Sequence, residues 1–114
     1  MLVGHYTDKT NEPQTKAGSQ GAKMRTLIAL DEGANTFFMR LVTIEPGGFI
    51  GLHSHPYEHE IYVLSGRGRA TTEDSGADVE SGNHVFIPGD EMHGFENTGD
   101  ETLQFICCIP NPDR

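Results

Sequence analysis

From Met24 onward the chain alternates short apolar, β-branched runs with turn-forming clusters. The runs are Met24–Leu30, Phe37–Ile44, Phe49–His55, Glu58–Ser65, Arg69–Thr72, Ala77–Glu80, His84–Ile87, His93–Asn97 and Thr102–Ile109. Between them lie Asp31-Glu32-Gly33-Ala34-Asn35, Pro46-Gly47-Gly48, Pro56, Gly66 and Gly68, Gly76, Gly82, Pro88-Gly89-Asp90, Gly99 and Pro110. No segment between breakers holds a helical period for the ~10 residues a helix needs. Short, evenly spaced strands predict an all-β antiparallel sandwich or barrel in a single domain. Pro46-Gly47-Gly48 reads as a sharp break between two strands. Residues 1–23 are polar and aperiodic, with Pro13, Gly18 and Gly21. They read as an N-terminal arm, disordered or laid on a partner subunit, in front of a barrel domain over residues 24–114.

Alternation also predicts faces, because successive strand side chains point opposite ways. His59, Ile61 and Val63 share one face, and Glu58, Glu60, Tyr62 and Leu64 share the other. In the last run Leu103, Phe105, Cys107 and Ile109 alternate with Gln104, Ile106 and Cys108. The polar Gln104 marks its face as the outer one, which turns Cys107 inward.

Composition narrows the function classes. The 114 residues include 8 Lys+Arg against 17 Asp+Glu, for a formal net charge of −9. The few cations form no basic stripe, which disfavours nucleic acid and anionic membrane surfaces. No stretch approaches the ~18–20 apolar residues of a membrane helix. Residues 1–20 lack the apolar core of a secretory signal. The two cysteines, Cys107 and Cys108, are adjacent, so they face apart in a strand and cannot pair well. Reduced thiols point to a cytoplasmic protein.

Histidine carries the candidate chemistry. His53-Ser54-His55 puts two imidazoles on one strand face with Cα atoms about 6.5–7 Å apart. That spacing lets both rings converge on one ion with bonds of ~2 Å. His59 stands in phase with an aliphatic face, where a neutral imidazole needs a partner. His93 opens a short strand and shares its face with Phe95. A lone histidine on an apolar face is usually a hydrogen-bonded core residue, and a surface His-x-His pair can be accidental. Four in phase among six histidines favour a metal site. His5, in the polar arm, and His84, out of phase with Val85 and Ile87, fall outside the set.

The spacing of these residues resembles the cupin family. Gly47, His53, His55 and Gly66 match its first motif, with His59 where glutamate is common. Gly82, Pro88, His93 and Asn97 match the second, with Asp90 where a glycine is usual. The strings Glu45-Pro46-Gly47-Gly48, His53-Ser54-His55-Pro56, Glu58-His59-Glu60-Ile61 and His93-Gly94-Phe95 are similar to small single-domain bacterial manganese cupins with four histidine ligands. The resemblance implies a jelly-roll barrel and one divalent transition metal per chain, held by His53, His55, His59 and His93. Glu60 competes for the third place. Manganese is the implied ion, and Fe, Ni, Cu and Zn also suit the all-nitrogen donor set. The implied function is a metal-dependent oxidoreductase of dioxygenase type acting on a small organic substrate. A metal-dependent isomerase or lyase, or a binding module without turnover, is the alternative. A homodimer is implied as well. Arg40, Cys107, Phe105, Ile109 and Phe95 are the pocket candidates. Glu58, Glu60 and backbone carbonyls are candidates to orient the ligand imidazoles.

Overall fold

The computed structural model describes residues 1–113. Nine strands form a single curled antiparallel sheet: β1 (Glu12–Pro13), β2 (Gln20–Ile28), β3 (Phe37–His53), β4 (His59–Ser65), β5 (Arg67–Thr71), β6 (Gly76–Glu80), β7 (His84–Ile87), β8 (His93–Asn97) and β9 (Leu103–Pro110). Single 3₁₀ turns at Tyr6–Asp8, Lys16–Gly18 and Leu30–Glu32 are the helical elements among the described residues. Among the described residues, no helix is long and apolar enough to cross a membrane. The order across the sheet is β6-β5-β8-β3-β9-β4-β7, with β2 also paired to β3 and β1 paired to β2. This is the expected all-β jelly-roll barrel.

The long strand β3 joins the two halves of the barrel. Its first part, Phe37 to Ile44, pairs with β9, and Met39 to Ile44 also pair with β2. Its last part, from Phe49 to His53, pairs with β8. The sequence predicted a break at Pro46-Gly47-Gly48, and the chain bends there without ending the strand. Gly47 takes a positive φ of 80°, which a side chain would resist. A Cβ on Gly48 would sit 2.9 Å from the carbonyl oxygens of Gln20 and Glu45, so glycine is what lets β2 close on the bend.

Alternation in β4 and β9 is as expected. His59, Ile61 and Val63 are buried while Glu60, Tyr62 and Leu64 are exposed. Leu103, Phe105, Cys107 and Ile109 are buried, and the residues between them are half-buried. The core gathers Ile44, Val63, Leu103 and Phe105, with Phe95 and Phe105 rings 4.7 Å apart. Side chains of this kind each contribute about 1.5–3 kcal/mol on burial. Asn97, nearly buried, straps the core to the turn after β8. Its Nδ2 donates to the carbonyls of Ile44 and Glu101, each at 2.8 Å, and its Oδ1 accepts from Gly99 N–H at 2.9 Å.

The N-terminal segment is ordered against the sheet in this chain. The boundary expected at residue 24 falls inside β2, which starts at Gln20. Residues before it fold on their own barrel. Gln14 N–H donates to the Ala22 carbonyl at 2.8 Å, Lys9 pairs with Glu32, and Arg25 donates to the Lys9 carbonyl and stands over the Tyr6 ring. Backbone pairing of β2 to β3 and of β1 to β2 holds this segment, and it needs no apolar period.

Candidate metal centre

A cavity of about 240 Å³ opens inside the barrel. His53 closes β3, His55 follows in the connection, His59 opens β4 and His93 opens β8, so strand ends converge on one mouth. The cross-strand pair His53–His93 is a direct register partner. Asp90 N–H donates to the His55 carbonyl at 2.6 Å and so ties the His-x-His segment to the turn before β8. Asp90, where the resembled motif has glycine, still takes the left-handed conformation at φ 68°, which aspartate tolerates better than most residues.

Ligating nitrogens of His53, His55 and His93 all lie within 4.8 Å of one another. His59 stands beside this trio, with its ring centroid 4.8 Å from that of His93 and 5.2 Å from that of His55. Backbone carbonyls set two of the rings. His53 Nδ1 donates to Gly51 and His93 Nδ1 to Glu91, both at 2.8 Å. A carbonyl can only accept, so Nδ1 carries the proton and Nε2 is left with its lone pair. Of the expected orienting groups, the carbonyls serve. Glu58 and Glu60 are exposed on the outside.

The surroundings of His55, His59 and His93 favour the neutral imidazole. Burial, with Lys16 as the next cause, lowers the His55 pKa to about 4. Burial and the neighbouring His93 lower that of His59 to about 3. Burial lowers that of His93 too. Neutral imidazole is the form a metal needs. His59 Nδ1 is buried with no hydrogen-bond partner. Leaving a buried polar atom unsatisfied costs about 1–3 kcal/mol. A cluster of neutral rings with lone pairs to offer, beside one orphaned nitrogen, fits a divalent transition ion.

The other candidates divide. Arg40, Cys107, Phe95 and Phe105 line the cavity. Arg40 Nη2 donates to Cys107 Sγ at 3.1 Å, and its buried Nε has no partner. Burial raises the Cys107 thiol pKa, with the Arg40 charge opposing it. Ile109 is a correction: it is buried in the core at the far end of β9 and lies outside the lining. Tyr57, stacked on His55 at 4.8 Å with ring planes 4° apart, joins the wall unannounced by strand phase, because it sits in a loop. Lys16 also lines the cavity, and nothing in its polar segment marked it. His5 caps the first 3₁₀ turn and His84 is exposed, both away from the site.

A family profile described as a cupin domain matches residues 40–109. The chain belongs to the cupin family. It is 34% identical over 100 residues to the polyketide synthase CurC of Streptomyces cyaneus, covering 86% of this chain and 63% of that protein. It is 41% identical over 69 residues to an oxalate-binding protein of Thermotoga maritima, covering 58% of this chain and 55% of that one. The chain therefore spans less than two thirds of either relative. Among solved structures, the polyketide cyclase RemF of Streptomyces resistomycificus superposes with a TM-score of 0.90 at 33% identity, over 96% of this chain and 79% of that one.

Proposed function

We propose that this cupin is a metal-dependent enzyme acting on a small, oxygen-rich carbonyl acid, with the chemistry of an isomerase, lyase or cyclase. The observation that carries the reading is one cavity that joins three close imidazoles to a partly unpartnered arginine, with no Asp or Glu in its lining among the described residues. His53, His55, His59 and His93 would hold the ion. When bound, it supplies Lewis-acid polarisation of a carbonyl or enol oxygen. Arg40 offers its guanidinium to a carboxylate or enolate of the same ligand. Phe95 and Phe105 keep water from the inner end. The names of CurC and RemF point to polyketide chains, and that of the Thermotoga relative to oxalate. Both ligand types present adjacent oxygen donors.

Oxygen-dependent oxidation of the same ligands is the second reading. The all-imidazole donor set favours it, since redox-active Mn, Fe and Cu suit such a shell as well as Zn does. The two readings part in one assay: conversion of β-dicarbonyl acids by the Mn-loaded and Zn-loaded protein, with and without air. Anaerobic turnover with Zn supports the first reading, and strict oxygen dependence with a redox-active ion supports the second. Tight binding with no conversion under any condition overturns both and leaves a binding module.

The chain is further read as a cytoplasmic homodimer. Two free thiols suit a reducing compartment. Exposed Tyr62, Leu64 and Phe86 on the outer face of β4 and β7 offer an apolar surface for a second copy. Light scattering of the eluting protein should give twice the 12.5 kDa chain mass.

A further inference from the structure

The cavity has an electrostatic character opposite to that of the chain. Seventeen acidic residues outnumber eight Lys+Arg, yet two cations, Arg40 and Lys16, line the cavity and no carboxylate does among the described residues. The ion pairs among the described residues are Lys9–Glu32 and Arg69–Asp78, so neither cavity cation has a carboxylate at salt-bridge distance. The two cations come from different sides. Arg40 rises from β3 against Cys107. Lys16 comes from the N-terminal segment and enters the same lining as the imidazoles.

The turn that carries Lys16 is held in an uncommon shape. Ala17 has φ 54° and Gly18 φ 77°, both left-handed. Buried Ser19 donates from Oγ to the Lys16 carbonyl and accepts from Gly51 N–H at 3.0 Å. A Cβ on Gly51 would fall 2.1 Å from the Ala17 carbonyl oxygen, so β3 carries glycine where the turn rests on it. A left-handed alanine fixed by a buried hydroxyl and an opposing glycine is strain that the surroundings over-determine, a pattern that clusters at functional sites.

We infer that the Thr15–Ser19 turn is a specificity element that sets Lys16 to receive a second acid group, so that the preferred ligand is a linear oxo acid anionic at both ends. The inference rests on the proposed function for the near end, where the oxo acid meets the imidazole cluster and Arg40. The distal anion is read by Lys16.

Titration calorimetry with 2-oxoglutarate and 2-oxobutanoate tests it. Both present the same α-oxo acid, and the first adds a distal carboxylate. The probes are run against the Mn-loaded and the metal-free protein, since Lys16 and Arg40 belong to the chain and not to the ion site. The wild type should prefer 2-oxoglutarate by about fivefold, the upper end for one solvent-screened ion pair. Lys16→Gln should reduce the preference to within about twofold, weakening 2-oxoglutarate more than 2-oxobutanoate, and Lys16→Glu should reverse it. Added salt should erode the wild-type preference more than that of Lys16→Gln. Lys16 is exposed, so these variants do not threaten the core. A wild type with no preference, a Lys16→Gln variant that keeps it, or failure of every form to bind either acid overturns the inference. Failure to take up Mn, Zn or Fe while the metal-free protein keeps the Lys16-dependent preference overturns the proposed function and leaves the inference standing.

Discussion

Replacing Asn97 tests what holds the bend of β3 to the turn beyond β8. Asn97→Ala removes two donated bonds of 2.8 Å and one accepted bond of 2.9 Å. At about 0.5–1.5 kcal/mol net for each bond, the loss is roughly 2–4 kcal/mol. The Ile44 carbonyl belongs to a residue with 0% exposure, so water cannot replace the lost donor there, and the upper end of that range applies. At about 4 °C per kcal/mol for a domain of this size, the Tm should fall by roughly 12–16 °C. Asn97→Asp sharpens the test. The change is nearly isosteric and keeps the acceptor for Gly99, but it turns an oxygen toward two carbonyls. The introduced carboxyl would have a folded pKa above its unfolded value of about 3.9. Its penalty is therefore small below that pH, grows as pH rises, and saturates above the folded pKa. Urea melts followed by circular dichroism at about pH 4.5 and 7, each against wild type at the same pH, read both effects. An Asn97→Ala loss under about 1 kcal/mol, or an Asn97→Asp penalty that does not grow with pH, would refute the assignment of Asn97 as a buried strap.

Metal loading should raise stability by about 2.7 kcal/mol at a free-ion concentration of about 100 times Kd, and a chelator should reverse it in the same thermal melt. His59→Ala should lower the metal content measured by emission spectrometry, and Glu60→Ala should leave it unchanged, since Glu60 faces outward. Partial desolvation, then the Glu58 side chain, raise the Glu60 pKa from 4.5 to about 7. A raised folded pKa disfavours the ionised form, so Glu60 costs stability as pH climbs from about 4.5 to 7. Glu60→Gln should flatten the pH dependence of Tm across that window. Phe86→Asp combined with Tyr62→Asp should shift the proposed dimer to monomer on light scattering, without lowering metal content. Ala17→Gly should stabilise by a few tenths to about 1 kcal/mol in urea melts, as relief at φ 54° exceeds the added chain entropy.

Much of the barrel was legible because its walls obey a two-residue period. The inward set of β4, from His59 to Val63, and that of β9, from Leu103 to Ile109, follow directly from alternation. The histidine convergence was legible for the same reason, since strand ends deliver His53, His59 and His93 with defined phase. What alternation could not show is pairing that depends on distant residues. Gln20-Gly21-Ala22-Lys23 carries only one buried side chain, and its strand character comes from the register with β3. Lys16 reaches the cavity through a turn shaped by Ser19 and Gly51, 32 positions apart. Ile109 follows the inward phase yet packs into the core outside the cavity lining, because phase sets the face and does not say which inward side chains border the open space. The continuity of β3 through Pro46 and Gly47 was hidden because a proline and a left-handed glycine also end strands elsewhere.

The uninterrupted course of β3 gives the cavity a built-in caliper. Arg40 and His53 belong to one strand and lie on opposite sides of its bend. The spacing of Arg40 and His53 is therefore set by a single backbone rather than by the docking of separate loops. Inserting or deleting one residue at the bend would change that span and turn one jaw to the opposite side of the wall. Ligand length should thus be far more sensitive to lesions at residues 46–48 than to equal changes in the exposed turn between β6 and β7.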